Sequence, residues 1–242
     1  MQILMISLPD ALERQDNARR QFARAGVNFE ILQGIDGRTA TTPLFESYDA
    51  DHYLLSCGRH ASDGEQGCYA SHIKAWQYCV DHNEPVIVLE DDAQLEPDFA
   101  AALPVIAENI EELGFIRIEP MHGRPTLALK QCGGFALHYC LKYPHDATAY
   151  ALSPTVARKF IEDSRVLRAP ADKYIKEFWL HEQPLYCLIP YCVQPGPLAE
   201  DSQIAGRQDH RQPLALRLRR SCYKAVSALR RFMFNRHQRP RG

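Results

Sequence analysis

Residues 86–89 form a continuous apolar run, Val-Ile-Val-Leu, which three acids follow directly: Glu90, Asp91 and Asp92. Three of the four apolar residues are β-branched and no polar residue interrupts them. This pattern is typical of a strand buried on both faces of a sheet. Such strands belong to α/β proteins, whose ligands bind beyond the carboxyl ends of the strands. The feature predicts an α/β fold with a mostly parallel central sheet and a binding site at the acidic turn.

The first half of the chain alternates strand-like and helix-like segments. A strand is expected at residues 3–8, followed by a helix that begins with a capping box of Asp10 and Glu13 and ends at Gly26. Two overlapping capping boxes within residues 62–66 predict the start of a second helix. Alternation of this kind predicts one α/β domain.

The second half contains further elements of the same kind. Ser153 and Pro154 provide a cap and a first-turn proline for a helix after another strand. Pro104 is a possible break in a helix-like stretch that follows Asp98, and a last helix of the domain is predicted from about residue 170 to residue 180. Residues 40–61 show no clear period and are expected to form a loop or a small insertion. We assign residues 1–206 to the domain.

Residues 207–242 form a basic tail with ten arginines and one lysine against a single aspartate, whereas the rest of the chain carries an excess of acids. At helical spacing, the tail places apolar residues on one face and most basic residues on the other. The apolar residues are Leu214, Leu218, Cys222, Ala225, Val226, Leu229, Phe232 and Met233. Such a helix fits an anionic membrane surface, docking on the protein's own domain, or nucleic acid.

We favour the membrane, through residues 213–234, and expect no nucleic-acid partner because the body of the protein is acidic. No apolar run is long enough for a spanning helix, and no secretory signal is evident at the N-terminus. The expected location is therefore cytoplasmic.

The acidic turn has two interpretations. Carboxylates at the end of a buried strand can hold a hard cation such as Mn²⁺ or Mg²⁺, which relieves their mutual repulsion. In an extended turn, Glu90 and Asp92 share a side and Asp91 points elsewhere. Alternatively, the three acids form a solvated turn with a cap for the next helix.

Four segments in order resemble glycosyltransferase family 25, the lipooligosaccharide galactosyltransferase-like enzymes of Gram-negative bacteria. One of them is Val86-Ile-Val-Leu-Glu-Asp-Asp92, which contains the acidic turn. Asp172, within Pro170-Ala-Asp-Lys-Tyr174, matches a further acidic position of the family. The other three segments are Ile6-Ser-Leu8 with Glu13-Arg14, Gly64-Glu-Gln-Gly-Cys-Tyr-Ala-Ser-His72 with Trp76, and Thr148-Ala-Tyr-Ala-Leu-Ser153 with Ala157.

This resemblance implies a GT-A-like single domain that transfers a hexose, with galactose expected, from a UDP-sugar to a hydroxyl of a lipooligosaccharide or lipopolysaccharide. It also implies a divalent cation, normally manganese. Gln66 departs from the family, which often has an apolar residue at that position, and residues 119–146 match none of its segments. A lipid acceptor would place the enzyme peripherally on the inner face of the bacterial inner membrane.

The resemblance also gives roles to residues. Asp92 and Glu90 are the expected metal ligands, and Asp172 is the preferred general base, with Asp146, Glu119 and His145 as the other candidates. The expected donor-binding residues are Ser7, Leu8, Arg14, Asp36, Gly67, Ser71, His72, Glu90 and Asp91. The alternative is a non-catalytic nucleotide-sugar-binding or membrane-associated module with the same fold.

Overall fold

The computed structural model describes residues 1–40, 47–196 and 213–238. Ten strands and seven helices follow one another in these ranges. The strands are β1 (Gln2–Ser7), β2 (Glu30–Gln33), β3 (Val86–Glu90), β4 (Ala93–Leu95), β5 (Phe115–Arg117), β6 (Thr126–Cys132), β7 (Phe135–Cys140), β8 (Ala149–Leu152), β9 (Tyr186–Ile189) and β10 (Val193–Pro195). The helices are α1 (Leu12–Ala25), α2 (Ala50–Cys57), α3 (Asp63–His82), α4 (Phe99–Leu113), α5 (Pro154–Asp163), α6 (Ala171–Lys176) and α7 (Leu214–Gln238).

Eight strands form one central sheet in the order β2-β1-β3-β8-β5-β9-β7-β6, and β4 pairs separately with β10. Strands β2, β1 and β3 run parallel, and β5 pairs in parallel with β9. Strand β8 is antiparallel to both of its neighbours, β3 and β5, and the β6–β7 hairpin adds an antiparallel edge. The α/β class predicted from the sequence is confirmed.

Strand β3 divides its side chains between two cores. Val86 and Val88 belong to the core cluster that contains Trp76 of α3, whereas Ile87 and Leu89 belong to the cluster on the other face. All four are fully buried because helices cover both faces of the sheet. This explains why the run contains no polar alternation.

The helix starts agree only in part with the predicted capping boxes. Ser62 accepts from the backbone N–H of Glu65, and the Glu65 side chain accepts from the backbone N–H of Ser62, so this box is confirmed. The box of Asp10 and Glu13 is wrong: Ala11 is the cap residue of α1 and no side chain caps it. The backbone N–H of Ala11 instead bonds to the carbonyl of Leu8 in a turn that precedes the helix.

Three other expectations are corrected. Residues 50–57 form helix α2 rather than a loop, although residues 41–46 lie outside the described ranges. Pro104 lies inside α4 without ending it. Helix α6 ends at Lys176, before the predicted end at residue 180. The boundary at residues 206 and 207 lies outside the described residues.

Helix α7 docks on the domain through specific contacts. Arg220 Nε donates to the carbonyl of Leu55 (3.2 Å), and the Tyr223 hydroxyl donates to Glu177 (3.1 Å). Farther along, Asn235 Nδ2 donates to the carbonyl of Leu141 (2.9 Å). No helix within the described ranges has the length and apolar character needed to cross a membrane.

Docking leaves the apolar face of α7 uncovered. Leu229 and Phe232 are each 61% exposed, and no residue of the helix is buried. The face turned to the domain is polar and aromatic instead, because the residues that make its contacts are Arg220, Tyr223 and Asn235. Docking on the protein's own domain was one of the three alternatives from the sequence, and the structure shows it. The apolar face of α7 stays exposed.

Candidate functional site

Two cavities meet at the carboxyl end of β3. The smaller, about 500 Å³, lies against β1, the turn after β2 and the start of α3. The larger, about 870 Å³, extends towards α6 and α7. Cys68, His72, Glu90 and Asp92 line both. A group held at Glu90 and Asp92 is therefore accessible from two compartments.

The strand directions explain why these residues meet. Strands β1 and β3 are parallel with Ile6 opposite Glu90, so Ser7 and Asp91 end at the same edge of the sheet. Strand β8 is antiparallel, so its beginning lies at this edge too, and the Glu90 N–H donates to the Thr148 carbonyl (2.9 Å). This brings Asp146 into the larger cavity.

Asp91 is held on the β1 side of the turn. Ser7 Oγ donates to its Oδ2 (2.7 Å), and a guanidinium nitrogen of Arg14 donates to its Oδ1 (2.8 Å). Both carboxylate oxygens thus have protein partners, and Asp91 points away from the larger cavity, as the sequence predicted. Ser7, Leu8 and Arg14 all line the smaller cavity. The contacts of Ser7 and Arg14 with Asp91 show that both residues orient this carboxylate.

Within the acidic turn, Asp92 has a carboxylate oxygen without a hydrogen-bond partner in the described part of the chain. This oxygen, Oδ1, is buried. Burial, with the nearby charges of Glu90 and Asp91, raises the pKa of Asp92 to about 7. The backbone is fixed by Gly196, whose N–H donates to the Asp92 carbonyl (2.8 Å). An acceptor oxygen that is buried, repelled and unpartnered fits a hard cation.

The neighbouring Cys68, His72 and Glu90 also bring three ligand atoms within 4.8 Å of one another. Burial and the nearby Glu90 carboxylate raise the pKa of the Cys68 thiol, which disfavours the thiolate that metals require. Mn²⁺ and Mg²⁺ prefer carboxylate oxygens. The donor set that fits such a cation is therefore Asp92 with Glu90.

His72 is held by a chain of hydrogen bonds. The Trp76 indole N–H, which can only donate, donates to the Tyr150 hydroxyl (2.7 Å). The Tyr150 O–H then donates to His72 Nδ1 (2.9 Å), which leaves Nε2 to donate to Glu90 Oε1 (3.2 Å). His72 is 1% exposed. Both ring nitrogens have partners inside the protein. His72 was predicted to bind the donor, but these contacts give it the task of orienting Glu90.

The turn after β2 packs directly on the start of α3. Ser71 Oγ donates to the carbonyl of Gly67 (2.7 Å) and accepts from the N–H of Ile35 (2.8 Å). A Cβ at Gly67 would lie 2.4 Å from the Ile35 carbonyl oxygen. Gly67 was expected to bind the donor, and the structure shows instead that its backbone lies against the turn after β2. Gly67 and Ser71 shape the smaller cavity by fixing residues 34–37.

We expect Gly67→Ala to destabilise the protein by about 3 kcal/mol, because backbone atoms of Ile35 and Gly37 would have to move. A thermal melt should show a midpoint lower by about 6–12 °C. Gly134→Ala is the matched control, since a Cβ there meets nothing within 4 Å. Equal midpoints for both variants would contradict this packing argument.

Asp36 lies at the rim of the smaller cavity beside Leu8. Its carboxylate accepts from Arg38 Nε (2.9 Å) and from the backbone N–H of Arg38 (3.0 Å), and these hydrogen bonds lower the pKa of Asp36. The bond from the Arg38 N–H to the Asp36 carboxylate forms an Asx-type turn. The ionised Asp36 can accept a hydrogen bond from a ligand hydroxyl at this rim.

The candidate general bases separate by location. Asp172, Asp146 and His145 line the larger cavity, with Asp172 Oδ2 3.7 Å from His145 Nδ1. Glu119 instead is fully buried beside Arg117 (3.0 Å), and burial raises its pKa to about 8. Since Glu119 does not line either of the two cavities, it is excluded as a base for a bound hydroxyl.

The sequence reasoning did not find the basic lining of the larger cavity. Arg59 pairs with both oxygens of the Glu65 carboxylate. Helix α7 contributes Arg220, Lys224 and Arg231. The only sequence signal for the helix residues was the basic face of the tail, which was assigned to an external surface.

The family comparison agrees with this geometry. Residues 1–175 match the model of glycosyltransferase family 25 (LPS biosynthesis protein). The chain belongs to glycosyltransferase family 25. The matched region contains both cavity edges at β1 and β3, the α3 motif, and Asp172. It ends before α7, so the basic helix is not part of the match.

Three curated relatives show how broad the family is. The chain is 23% identical to a probable inactive glycosyltransferase 25 family member 3 of Rattus norvegicus, covering 84% of this chain and 39% of the relative. It is 27% identical to procollagen galactosyltransferase 2 of Mus musculus, covering 46% and 19%. It is 31% identical to the lipooligosaccharide biosynthesis protein lic2B of Haemophilus influenzae, covering 38% and 33%. The chain thus spans about two fifths or less of these relatives.

Proposed function

We propose that this family 25 protein is a metal-dependent glycosyltransferase that moves a hexose from a UDP-sugar to a hydroxyl of an acceptor glycan. The observation that carries the proposal is the junction of two cavities at Glu90 and Asp92. A transferase must bring two substrates to one reacting carbon, and this geometry gives each substrate its own compartment. We assign the donor to the smaller cavity and the acceptor to the larger.

The smaller cavity suits a nucleotide diphosphate sugar. Of the nine residues expected to bind the donor, all except Gly67 line it. Asp36 offers an acceptor for a ribose or base group, and Arg14, once Asp91 is oriented, carries positive charge towards the diphosphate. Ser71 and Gly67 act through the position of residues 34–37, and His72 through Glu90.

A divalent cation, Mn²⁺ or Mg²⁺, held by Asp92 and Glu90 supplies positive charge against the diphosphate as it leaves. The chain's own residues then have separate tasks. His72 holds Glu90 in place, and Ser7 with Arg14 holds Asp91. Gly196 fixes the backbone of Asp92. These contacts preorganise the carboxylates before substrate binds.

Asp172 is the proposed general base, and the transfer is proposed to invert the anomeric carbon. It removes the proton of the acceptor hydroxyl while that oxygen attacks C1 from the face opposite the leaving UDP. Asp172 lies in the first turn of α6, where the helix dipole favours a carboxylate. Asp146 is the second candidate, and its carboxylate lies near His122 (3.2 Å) and Arg117 (3.7 Å).

We propose galactose as the sugar because one relative is a mouse procollagen galactosyltransferase. We propose a lipooligosaccharide or lipopolysaccharide as the acceptor because the Haemophilus relative is a lipooligosaccharide biosynthesis protein. A non-catalytic module is the second candidate, since other relatives are named inactive. The oriented carboxylates Glu90, Asp91 and Asp92 favour the enzyme. Glu119 also has a buried oxygen without a partner in the described part of the chain, but of these two residues only Asp92 lines both cavities.

The deciding experiment measures UDP release from a panel of UDP-sugars by the purified protein with Mn²⁺, and with EDTA. Release from one sugar that EDTA abolishes would support the proposal and name the donor. If no UDP-sugar is turned over, and calorimetry with Mn²⁺ detects no binding of any of them, the transferase proposal fails and the non-catalytic module is favoured.

We further propose that α7 holds the enzyme on the cytoplasmic face of an anionic membrane, where a lipid-linked acceptor is found. The exposed apolar residues Leu218, Val226, Leu229, Phe232 and Met233 support this, since arginines such as Arg219 and Arg230 flank them. Apolar insertion flanked by cations is complementary to acidic lipid headgroups. Self-association and nucleic-acid binding are the competing outcomes.

We expect the double variant Leu229→Glu, Phe232→Glu to lose at least about 10-fold in partition onto vesicles that contain phosphatidylglycerol, because two apolar contacts become charged. Co-sedimentation measures this directly. Leu129→Glu on the β6 edge is the control, as Leu129 is an exposed apolar residue outside the helix. Unchanged partition of the double variant, or dimerisation without vesicle binding, would contradict the membrane proposal. Point variants are preferable to removal of the tail, since α7 also lines the larger cavity.

A further inference from the structure

The larger cavity carries positive charge that the proposed transfer chemistry does not use. Six lysine and arginine side chains besides Arg59 line it: Lys142, Lys173, Lys176, Arg220, Lys224 and Arg231. Three come from the loop and helix near Asp172, and three come from α7. These cations therefore lie on the side of the cavity that α6, α7 and the loop after β7 form, which we call the basic wall.

Most acids of the cavity are already engaged elsewhere. Glu65 pairs with Arg59, and Glu177 lies 3.9 Å from Lys173 and accepts from Tyr223. Glu90 is bound by His72. Asp146 lies near His122 and Arg117, and Asp172 lies 3.7 Å from His145.

Several of the cations lack such a partner. Within the described part of the chain, no ion pair joins Lys142, Lys224 or Arg231 to a carboxylate. Arg231 lies over the Trp179 ring, 5.7 Å from its centroid, which positions the guanidinium without neutralising it. Lys176 contacts His145 rather than an acid. Burial and the nearby cations Arg124, Lys173 and Lys142 lower the pKa of Lys176 to about 8.

The docking of α7 makes this wall a fixed part of the site. Tyr223 hydrogen bonds to Glu177, and Phe234 packs on Phe178 with ring centroids 5.4 Å apart. These contacts flank the lining residues on the same helix. A terminal helix that served only to bind a membrane would have no need to point three cations into a cavity.

We propose that the wall formed by Lys142, Lys176, Lys224 and Arg231 is a subsite for an anionic group, a phosphate or a carboxylate, on the acceptor sugar. The inference rests on the proposed function, because it takes the larger cavity as the acceptor compartment. Converging cations inside a cavity bind phosphate and carboxylate strongly, since water competes less there than at the surface. The subsite would select charged acceptors and orient their hydroxyl towards Asp172.

The test compares binding of three probes by calorimetry in EDTA: methyl glucoside, glucose 6-phosphate and glucuronate. We expect at least one charged probe to bind about 10-fold or more tightly than the neutral one, as for a charge-assisted hydrogen bond. Which charged probe binds tighter distinguishes phosphate from carboxylate. The preference should fall to less than about 3-fold in the double variant Lys142→Gln, Lys176→Gln, and also in the single variant Arg231→Gln. Arg230→Gln is the matched control, because its neighbour lines the cavity and Arg230 does not.

Equal affinity for all three probes in the wild type would overturn the proposal, as would a preference that survives in both cavity variants. UDP release from the UDP-sugar with Mn²⁺ is measured on the wild type and on Arg230→Gln, and these two proteins should release UDP at the same rate. Absence of UDP release in the wild type counts against the proposed function, whereas UDP release in the wild type without any preference for a charged probe counts against the subsite alone.

Discussion

Asp92→Asn is expected to lower UDP-sugar turnover by about two to three orders of magnitude and to abolish Mn²⁺ binding. The amide keeps the shape of the side chain but loses the negative charge that a hard cation requires. It also removes a carboxylate that is repelled by Glu90 and Asp91, so the protein without metal should melt at the same temperature or higher.

Two measurements separate the metal role from loss of fold. Mn²⁺ should raise the melting midpoint of the wild type, because it binds only the folded state, and should leave the variant unchanged. Asp98→Asn is the matched control: Asp98 is an exposed aspartate near the same turn that makes no side-chain cap bond. If Mn²⁺ still raises the melting midpoint of Asp92→Asn, Asp92 is not a ligand of the metal.

Asp172→Asn is expected to lower kcat for transfer by about 10²–10⁴-fold, because the acceptor hydroxyl loses the group that takes its proton. The KM for the UDP-sugar and the Mn²⁺-induced melting shift should remain unchanged, since Asp172 lines only the larger cavity. Transfer kinetics with saturating donor, and metal titration of the same preparation, provide both quantities.

Asp146→Asn distinguishes the two cavity carboxylates. Its side chain is held by His122 and Arg117, so we expect a change within about 10-fold, through positioning of the loop. If Asp146→Asn lost turnover to the larger extent and Asp172→Asn did not, the two assignments would be exchanged. Loss of Mn²⁺ binding in Asp172→Asn would instead place Asp172 at the metal.

The fold class followed from the sequence because its strongest signal was local. The unbroken apolar run of β3 requires cover on both faces, and Ser62 with Glu65 marks a helix start through bonds within four residues. The wrong prediction of a capping box at α1 also rested on a pattern of neighbouring residues. The acidic pair at Asp10 and Glu13 has the composition of a capping box, but a backbone turn at Ala11 takes its place.

Site residues were found where a motif places chemistry at a strand end. Ser7 and Glu90 end β1 and β3, Asp91 and Asp92 follow β3, and parallel pairing brings such strand ends together. Their individual tasks depend on partners distant in the chain. His72 orients Glu90 only because Tyr150, on the antiparallel strand β8, supplies the bond to its other nitrogen.

The amino-acid sequence by itself determined the α/β class, the acidic turn, the family and the amphipathic character of the tail, because each is a pattern of neighbouring residues. Tertiary structure alone decided which face of α7 meets the domain, and hence that Lys224 and Arg231 line a cavity while Leu229 and Phe232 meet solvent. The physical reason is that docking depends on specific hydrogen bonds and ring contacts across distant segments. Periodicity records only that a helix has two faces.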